Sequence, residues 1–405
     1  MSAPRPCHLL PRALSALVLG LWLLASPAWA LSDAQQLVVE AWRLVNQSYV
    51  DPQRFEAVHW KRLRQRTLEQ PIETSTDAYS AISAMLAPLG DPYTRLLRPE
   101  EYATLMASTQ GSVSGVGLQL ALRSVDEQIV VIAPLDGSPA AEAAIPSGTV
   151  VLKVNGINTS ALGLEGTASA LRGTAGSRVL LLLETPDGKR RELELERRSV
   201  DLQPVRSRVI RQEGKRLGYL RITQFAEPVP AQVQNTLAGE AFASIDGLIL
   251  DLRNNSGGLV SAGLAVANEL LDGQPIVTTQ DRDGLSSPSQ AGPGLLYEGP
   301  MVTLVNGGTA SASEILAGAL QDDGRGPLLG SRTFGKGLIQ TLIPLGDGSG
   351  LAVTVARYLT PSGRDIQNQG IVPDGILPVP EPLNPGGEGD SWLEQAIAVL
   401  LERLA

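Results

Sequence analysis

The stretch NGGTASASEILAG, residues 306–318, leads from an apolar run, MVTLVN, into a helix predicted over 313–322. Nearly every side chain before this helix is small, so little crowds the hydroxyl of Ser311. Around this stretch the chain alternates short apolar runs, such as LGYLRIT and DGLILDL, with helical patterns. Strands and helices alternating at these spacings predict a βαβ core with parallel strands, and they place Ser311 at a strand-to-helix junction.

The core and the segment before it have different hydrophobic patterns. From Gly111 to Arg198, short β-type runs follow one another between Gly, Pro, Asn and Asp turns, with one short helix predicted at 164–172. This segment predicts a compact β-rich module. Beyond it, apolar periodicity predicts helices and a strand pair over 229–242, 259–271, 313–322 and 338–359.

The first 110 residues contain two further regions. Residues 1–30 carry Arg5 and Arg12, an apolar run and a closing Ala-Trp-Ala, a pattern typical of a secretory signal peptide. An uncleaved anchor is the alternative, although the run is shorter than the ~20 residues that a membrane span needs. From Ser32 onward, an S-x-x-Q capping box and apolar residues spaced by three and four predict helices.

Together these patterns predict an α/β multi-domain protein. The chain has 405 residues, 43% of them apolar, which is enough for several buried cores. The predicted regions are a signal peptide (1–30), an N-terminal helical region (31–110), the β-rich module (111–198), the αβ core (199–380) and a Pro/Gly linker with a closing amphipathic helix (381–405).

Composition excludes several classes of function. Removal of residues 1–30 would take away two arginines and no acidic residue, so the net charge would change from −9 to −11, which disfavours nucleic acid as a partner. The same cleavage removes the only cysteine, Cys7, and one of the two histidines, His8. A zinc site of histidine and cysteine is then excluded, and a Ser-His-Asp triad could use only His59. No metal or organic cofactor is expected.

The segment SGVGLQL opens the β-rich module and places Gly115, Val116, Gly117 and Leu118 directly before a strand. Successive backbone amides of such a loop can point at one anion, for example the free C-terminal carboxylate of a peptide that pairs with the strand edge. An ordinary glycine turn before a strand is the alternative. A nucleotide-binding loop is less favoured, because no third glycine opens a helix here.

Two explanations fit Ser311. It forms an S-x-x-E capping box with Glu314, which alone would account for both residues. The small residues around it would also let a second backbone lie against the hydroxyl, and the helix N-terminus would offer amides to a developing oxyanion. A nucleophilic serine needs a base, however, and this chain has almost no histidine to act as one.

Lys336 is the candidate base, with a surface lysine in a glycine turn as the alternative. A lysine can act as a base if burial lowers its pKa enough to leave the amine neutral. Phe334 and Leu338 are expected to form apolar walls, and the glycines on either side of Lys336 would let the backbone fold closely about the amine. If KGLIQ is a strand, Lys336, Leu338 and Gln340 share one face, so the amide of Gln340 can hold the lysine.

These segments together resemble the carboxyl-terminal processing, or tail-specific, proteases. The segment GTASASEILAGALQDDGRGPLLGSRTFGKGLIQ is similar to the active-site segment of that family, and LILDLRNNSGG resembles its Gly-Gly turn. The β-rich module resembles a PDZ domain, with Gly148-Thr149 where such modules usually carry Gly-Asp. A second departure is Ser331-Arg332, where Glu-Pro is frequent. The segments AWRLVNQSYVDP and DPYTRLL look most like the cyanobacterial and plastid branch.

The resemblance implies a Ser-Lys protease core of the crotonase or ClpP-like αβ type, with Ser313 as a neighbour of the nucleophile. The implied roles are nucleophile for Ser311, general base for Lys336, orientation of that lysine for Gln340, and oxyanion amides for Ala312 and either Gly257 or Gly258.

On this resemblance we expect an exported serine endopeptidase of the periplasm or thylakoid lumen, without a membrane span after signal cleavage. It would bind polypeptides by their free C-termini through the PDZ-like module and remove C-terminal extensions. The branch includes the enzyme that trims the precursor of a photosystem II reaction-centre subunit. The alternatives are a general periplasmic tail-specific protease for quality control, an inactive PDZ scaffold that binds tails, and a crotonase-like enzyme acting on thioesters.

Overall fold

The computed structural model describes residues 31–123, 128–135, 137–146, 148–201, 203–379, 381–382 and 384–405. The predicted signal peptide at 1–30 therefore lies outside the described residues. In the part of the chain that is described, no helix has both the length and the apolar character needed to cross a membrane.

The N-terminal region is helical, as predicted. Its elements are α1 (Asp33–Ser48), α2 (Pro52–Ala57), α3 (Trp60–Leu68), α4 (Ser75–Leu86), β1 (Arg95–Leu97) and α5 (Pro99–Thr109). The capping box that opens α1 is confirmed: the Gln35 amide donates to Ser32 Oγ and the Ser32 amide donates to Gln35 Oε1, both at 3.1 Å. Apolar residues of α1 and α4 pack together and against Leu351 and Val353 of the core.

The β-rich module follows, and an antiparallel sheet in the order β3-β4-β5-β7-β8 forms most of it. Its elements are β2 (Ser112–Gly115), β3 (Leu118–Arg123), β4 (Gln128–Pro134), α6 (Pro139–Glu142), β5 (Val150–Val154), β6 (Ile157–Asn158), α7 (Thr159–Leu171), β7 (Arg178–Glu184), β8 (Arg190–Glu196) and β9 (Arg198–Asp201). Strand β2 pairs with β9, so the chain enters and leaves the module through one two-stranded ribbon. The helix predicted at 164–172 begins earlier, at Thr159, and bends at Gly163.

The remaining elements form the αβ core. They are β10 (Val205–Gln212), β11 (Lys215–Ile222), α8 (Val229–Leu237), β12 (Gly247–Asp251), α9 (Val260–Asn268), β13 (Pro275–Asp281), β14 (Ser286–Gln290), β15 (Met301–Val305), α10 (Ala312–Asp322), β16 (Leu328–Gly330), β17 (Leu338–Pro344), β18 (Gly350–Leu359), β19 (Gly375–Ile376) and α11 (Ser391–Arg403). Three predicted elements, α9, α10 and the strand pair β17–β18, lie close to their predicted positions. The helix predicted over 229–242 ends sooner, at Leu237.

The central sheet has the order β10-β11-β12-β15-β16-β19 and is parallel from β11 onward, which confirms the predicted parallel pairing. Both of its faces are covered, as parallel sheets require. Helices α8, α9 and α10 contribute to the apolar core on one face, and α11 packs on the other with Trp392 and Leu400 fully buried. All residues of β12 and β15 are buried.

A second sheet, antiparallel throughout, has the order β1-β18-β13-β14, with β17 also paired to β18. Strand β1 belongs to the N-terminal region, whereas its partner β18 belongs to the core. Their register sets Arg95 opposite Ala352. This pairing brings the residues just before β1 to the core, where they meet the candidate site.

Candidate active site

The site lies at the carboxyl edge of three adjacent parallel strands, β12, β15 and β16. The Gly-Gly turn follows β12, Ser311 follows β15, and the loop that carries Lys336 follows β16. Because the carboxyl ends of neighbouring parallel strands meet at one edge, three segments that are far apart in sequence converge there.

Ser311 occupies the predicted strand-to-helix junction, directly before α10. It is 8% exposed, and its backbone has φ +56° and ψ −120°, a conformation that is uncommon for any residue except glycine. Glu314 caps α10 as the sequence predicted, since its Oε2 atom accepts the Ser311 amide at 2.9 Å. The Glu314 amide in turn donates to the backbone carbonyl of Ser311 at 2.8 Å.

The neighbouring Ser313 is committed to a structural contact. Its side chain is fully buried, and its hydroxyl donates to the carbonyl oxygen of Asn255 at 2.9 Å. The same carbonyl accepts the amide of Ala310, so Ser313 helps to tie the start of α10 to the turn after β12.

Glu314 joins the serine to the lysine loop. Its Oε2 atom accepts the backbone amides of both Ser311 and Lys336, each at 2.9 Å. Its Oε1 atom accepts the Thr333 hydroxyl at 2.5 Å and the Gly335 amide at 2.7 Å. The two backbone segments are therefore fixed on one fully buried carboxylate. The sequence indicated Glu314 only as a helix cap, and its second set of contacts depends on the tertiary fold.

The side chain of Lys336 is half-buried, and its Nζ atom lies 5.0 Å from the centre of the Tyr93 ring. Among the described residues, neither a hydrogen bond nor an ion pair to Nζ is formed, and none joins it to Ser311 Oγ. Burial lowers the pKa of the amine below its usual 10.5, and Arg95 lowers it further, while Glu314 and Asp91 act in the opposite direction. The amine therefore loses its proton more easily than a surface lysine does.

Two expectations about the lysine loop were wrong. Lys336 precedes β17 rather than lying in it, and a register shift separates Ile339 from Gln340, so simple alternation does not apply. The amide of Gln340 donates to Thr354 Oγ1 at 3.3 Å. Phe334 is 58% exposed and so is a poor apolar wall. The ring of Tyr93 covers the ammonium instead, and no short-range pattern indicates it.

The glycines on either side of Lys336 do not have the role that the sequence predicted for them. Gly335 has φ +88°, and a Cβ there would lie 2.7 Å from the Gly370 amide nitrogen; at Gly337 it would lie 3.0 Å from that of Gln367. The glycines thus allow this loop to pack against the 366–370 segment rather than around the amine.

The turn after β12 lies against the start of α10. A Cβ on Gly257 would come within 2.8 Å of Ser311 Cβ and 3.1 Å of the Ala312 nitrogen. The Gly257 amide already donates to Asn255 Oδ1 at 3.0 Å. Gly258 forms an isolated parallel β-bridge with Phe225. The Phe225 amide donates to the Gly257 carbonyl, and the Leu259 amide donates to the Phe225 carbonyl, both at 2.8 Å. In such a bridge the Gly258 amide points away from Phe225.

A buried ion network supports this turn. Arg253, 1% exposed, donates to Asp251 at 2.6 and 3.0 Å and to Asp390 at 2.6 and 2.9 Å. Burial alone would raise the pKa of Asp251, but Arg221 and Arg253 outweigh it and hold that pKa below its usual value. Asp390 also caps α11 by accepting the Leu393 amide at 3.1 Å. The C-terminal helix is thereby tied to the residue that precedes the turn.

The predicted carboxylate loop lies between β2 and β3. A Cβ on Gly117, where φ is +74°, would lie 2.2 Å from Ser138 Cβ, so a side chain does not fit there. The carbonyls of Val116 and Gly117 accept the amides of Ala140 and Leu135 at 2.9 and 2.8 Å. These contacts hold the loop against the start of α6. Gly115 is paired in β2 and Leu118 opens β3.

Two further sequence expectations concern metals and histidine. Within the described ranges, no group of His, Cys, Asp or Glu side chains is arranged to hold a metal ion. His59 lies exposed between α2 and α3. The described contacts of Ser311 include no histidine.

Comparison with known proteins gives consistent matches along the chain. The peptidase family S41 model matches residues 216–377, and the PDZ domain model matches residues 104–184. The carboxyl-terminal-processing protease of Picosynechococcus sp. is 43% identical over 400 residues, which covers 97% of this chain and 96% of that protein. The chloroplastic C-terminal processing peptidase of Tetradesmus obliquus is 40% identical over 365 residues, covering 86% of this chain and 78% of that protein. Among solved structures, the photosystem II D1 C-terminal processing protease is 39% identical, with a TM-score of 0.66 over 91% of this chain and 98% of that chain.

Proposed function

The chain belongs to the carboxyl-terminal-processing proteases, serine-type peptidases with a PDZ domain, and we propose that Ser311 and Lys336 form its catalytic dyad. The observation that carries this proposal is the pair of hydrogen bonds by which Glu314 Oε2 holds the two residues' amides, each at 2.9 Å. The lowered pKa of Lys336 and the strained Ser311 backbone support it.

In the proposed reaction, the neutral Lys336 amine takes the proton of Ser311 Oγ as that oxygen attacks the scissile carbonyl carbon. The C–N bond then breaks, and the lysine gives the proton to the leaving amine. Water hydrolyses the resulting ester with Lys336 again as the base. Lys336 Nζ lies beside the Tyr93 ring and is not hydrogen-bonded to Ser311 Oγ in the described structure, so the two groups must come closer for the first step.

We assign the oxyanion hole to the amides of Gly258 and Ala312. The Gly257 amide is already bonded to Asn255, whereas that of Gly258 points away from its bridge partner, Phe225. The Ala312 amide opens α10, where the helix dipole favours negative charge. Gln340 is proposed to orient the lysine through its carbonyl oxygen, since its amide N–H is directed to Thr354.

We assign substrate capture to the PDZ-like module, with bounds of 111–198, and catalysis to the core at 199–380. Residues 115–118 would bind the free C-terminal carboxylate of a polypeptide, and β3 would pair with the tail that carries it. The positive φ of Gly117 and its close contact with Ser138 support a fixed loop conformation. The module is also proposed to regulate access to the dyad, with substrate tails shifting the population of the active state.

Cleavage of a quenched peptide with an apolar free C-terminus tests the dyad directly. The protein lacking residues 1–30 should cleave this peptide, whereas Ser311→Ala and Lys336→Ala should not, and an amidated C-terminus should weaken binding. Turnover that persists in Lys336→Ala would exclude the lysine as base. Tight binding of the peptide without turnover in the parent protein would support the scaffold alternative.

The proposed substrate is the precursor of the photosystem II reaction-centre subunit, with the enzyme exported to the periplasm or thylakoid lumen. The signal-peptide pattern of residues 1–30 and the cyanobacterial and chloroplastic relatives support this proposal. Comparing the C-terminal ends of exported proteins in cells with and without the enzyme tests it. If only the precursor stays untrimmed, the narrow assignment holds, whereas many untrimmed proteins would favour general quality control.

A further inference from the structure

The N-terminal region contributes a side chain to the surroundings of the proposed base. The face of the Tyr93 ring lies 5.0 Å from Lys336 Nζ, and Tyr93 is half-buried just before β1. More than 240 residues of sequence separate the two. The contact exists because β1 pairs with β18 of the core.

The Tyr93 backbone is fixed by a carboxylate that belongs to the same turn. Asp91 Oδ1 accepts the Tyr93 amide at 2.9 Å, and Asp91 Oδ2 accepts the Thr94 hydroxyl at 2.7 Å. Such an Asx turn restricts the local backbone and so limits the directions that the Tyr93 side chain can take. The ring is half-buried and stands on this restrained turn.

The same turn also fixes the partner of Gln340. Thr94 Oγ1 accepts the Thr354 amide at 3.0 Å, and Thr354 Oγ1 accepts the Gln340 side-chain amide at 3.3 Å. Asp91 and Gln340 are thus linked through Thr94 and Thr354. One short segment of the N-terminal region contacts Lys336 through Tyr93 and is connected to Gln340 through Thr354.

An aromatic face is a suitable support for a lysine that must change its charge. The ring attracts an ammonium through its quadrupole but, unlike a carboxylate, does not fix it as a cation by a full opposite charge. Burial, Asp91 and Glu314 raise the pKa of the Tyr93 phenol, so the phenol stays protonated and does not itself act as the base. The charged groups that act on Nζ are Asp91 and Arg95, which lie within two residues of Tyr93 in the chain, and Glu314 on α10.

We propose that Tyr93 is a positioning residue for the proposed base: its ring face holds the side chain of Lys336 beside the start of α10 between turnovers. This inference rests on the proposed Ser-Lys dyad. The ring neither touches substrate nor transfers a proton, and it acts only through the lysine.

The test is the pH dependence of peptide cleavage by the protein lacking residues 1–30. In Tyr93→Leu, the plateau of kcat/KM should fall about tenfold because the amine is less well placed. The acid limb of the kcat/KM profile, where the Lys336 amine loses its proton, should also move to lower pH by about half a unit to one unit. The reason is that the ammonium form no longer has the aromatic ring beside it. Tyr93→Phe keeps the ring, so its limb should remain at the wild-type position and it should lose less than about threefold.

Two further variants control for general disturbance of the N-terminal region. Tyr79 is a half-buried tyrosine of α4 with Arg98 over its ring, and Tyr79→Leu should leave the limb unmoved. Tyr93→Met is a second variant without a ring, and it should reproduce the shift seen for Tyr93→Leu. An unmoved limb in both ring-less variants, or an equal shift in Tyr93→Phe, would overturn the inference.

Failure of this inference can be told apart from failure of the dyad. If Lys336→Ala still cleaves the peptide, the dyad itself is wrong. If Lys336→Ala is inactive while Tyr93→Leu and Tyr93→Met keep the wild-type limb, only the positioning role of Tyr93 is excluded.

Discussion

Arg253 and Lys336 are cations of the same core, and their surroundings are opposite. The guanidinium of Arg253 is fully buried and hydrogen-bonded to two carboxylates, which raise its pKa against the effect of burial. The ammonium of Lys336 has an aromatic ring in place of a carboxylate, and burial lowers its pKa. A buried cation with ionic partners stays charged and holds structure, whereas one without them can give up its proton.

Removing or permanently charging the lysine should have the largest effect. Lys336→Ala and Ser311→Ala are each expected to lower kcat by about 10⁴-fold or more, as when any member of such a unit is lost. Lys336→Arg sharpens the comparison, because it gives this position a cation that, like Arg253, does not deprotonate. It should fold, with an unchanged circular dichroism spectrum, and be inactive. Substantial activity of Lys336→Arg would contradict a neutral base.

Breaking the ionic pairing of Arg253 should mainly cost stability. Asp390→Ala leaves part of a buried guanidinium unpaired and removes the cap of α11, so the free energy of unfolding should fall by about 3–5 kcal/mol. Urea denaturation measures this loss. A matched control is Asp272→Ala, which removes an exposed loop aspartate that accepts the Gly294 amide, and this variant should lose far less stability. Similar losses for the two variants would refute the structural role of the pair.

The Gly-Gly turn that follows β12, a few residues after Arg253, should be sensitive to substitution at Gly258. A Cβ there would lie 2.2 Å from the Phe225 carbonyl oxygen, and φ is +136°, so Gly258→Ala must displace the proposed oxyanion amide. We expect kcat to fall about 10²–10³-fold. Gly284→Ala is the control, because φ is +75° there but nothing lies near the added methyl group. Equal activities of the two variants would exclude a role for the Gly258 amide.

The proposed base Lys336 and the ion network around Arg253 should also respond to pH in different ways, the first through activity and the second through stability. The proposed base is active when neutral, so kcat/KM should rise with pH, by up to tenfold per unit, and level off below pH 10.5. Asp251 and Asp390 have lowered pKa values, so their stabilisation is present above the unfolded value near ~4 and is lost as pH falls through the lower folded values. Rate profiles and acid unfolding curves separate the two. Activity that levels off only above pH 10.5 would contradict the first assignment.

The smallest expected effect concerns a neutral buried group. Thr303 of β15 is fully buried, and within the described part of the chain its hydroxyl has no hydrogen-bond partner. Thr303→Val keeps the shape and removes that hydroxyl, so it should stabilise the protein by about 1 kcal/mol. Thermal unfolding measures the change, with Thr309→Val as the contrast, since its hydroxyl donates to Leu252 and that variant should be destabilised. A lower melting temperature for Thr303→Val would show that its hydroxyl is bonded.

Apolar runs and capping residues in the sequence predicted much of the fold, because they indicate which faces of strands and helices are buried and where helices begin. The apolar runs that became β12 and β15 are continuous, as expected for strands covered on both faces, and the capping box at Ser32 marked the start of α1 correctly. Strand β10 was missed, because it is an edge strand with mostly exposed residues and has no such run. The error at Lys336 came from extending the period of β17 past its true first residue, Leu338.

The sequence by itself determined the regions along the chain, the parallel core, and the candidate residues Ser311 and Lys336, since each of these depends on residues close together in the chain. Only the tertiary structure decided which groups surround them. Glu314 binds both backbones, Tyr93 covers the lysine, and Asp390 neutralises Arg253. Each of these contacts joins segments that meet through strand pairing or helix packing, and the charge state of a side chain depends on such neighbours rather than on its place in the sequence.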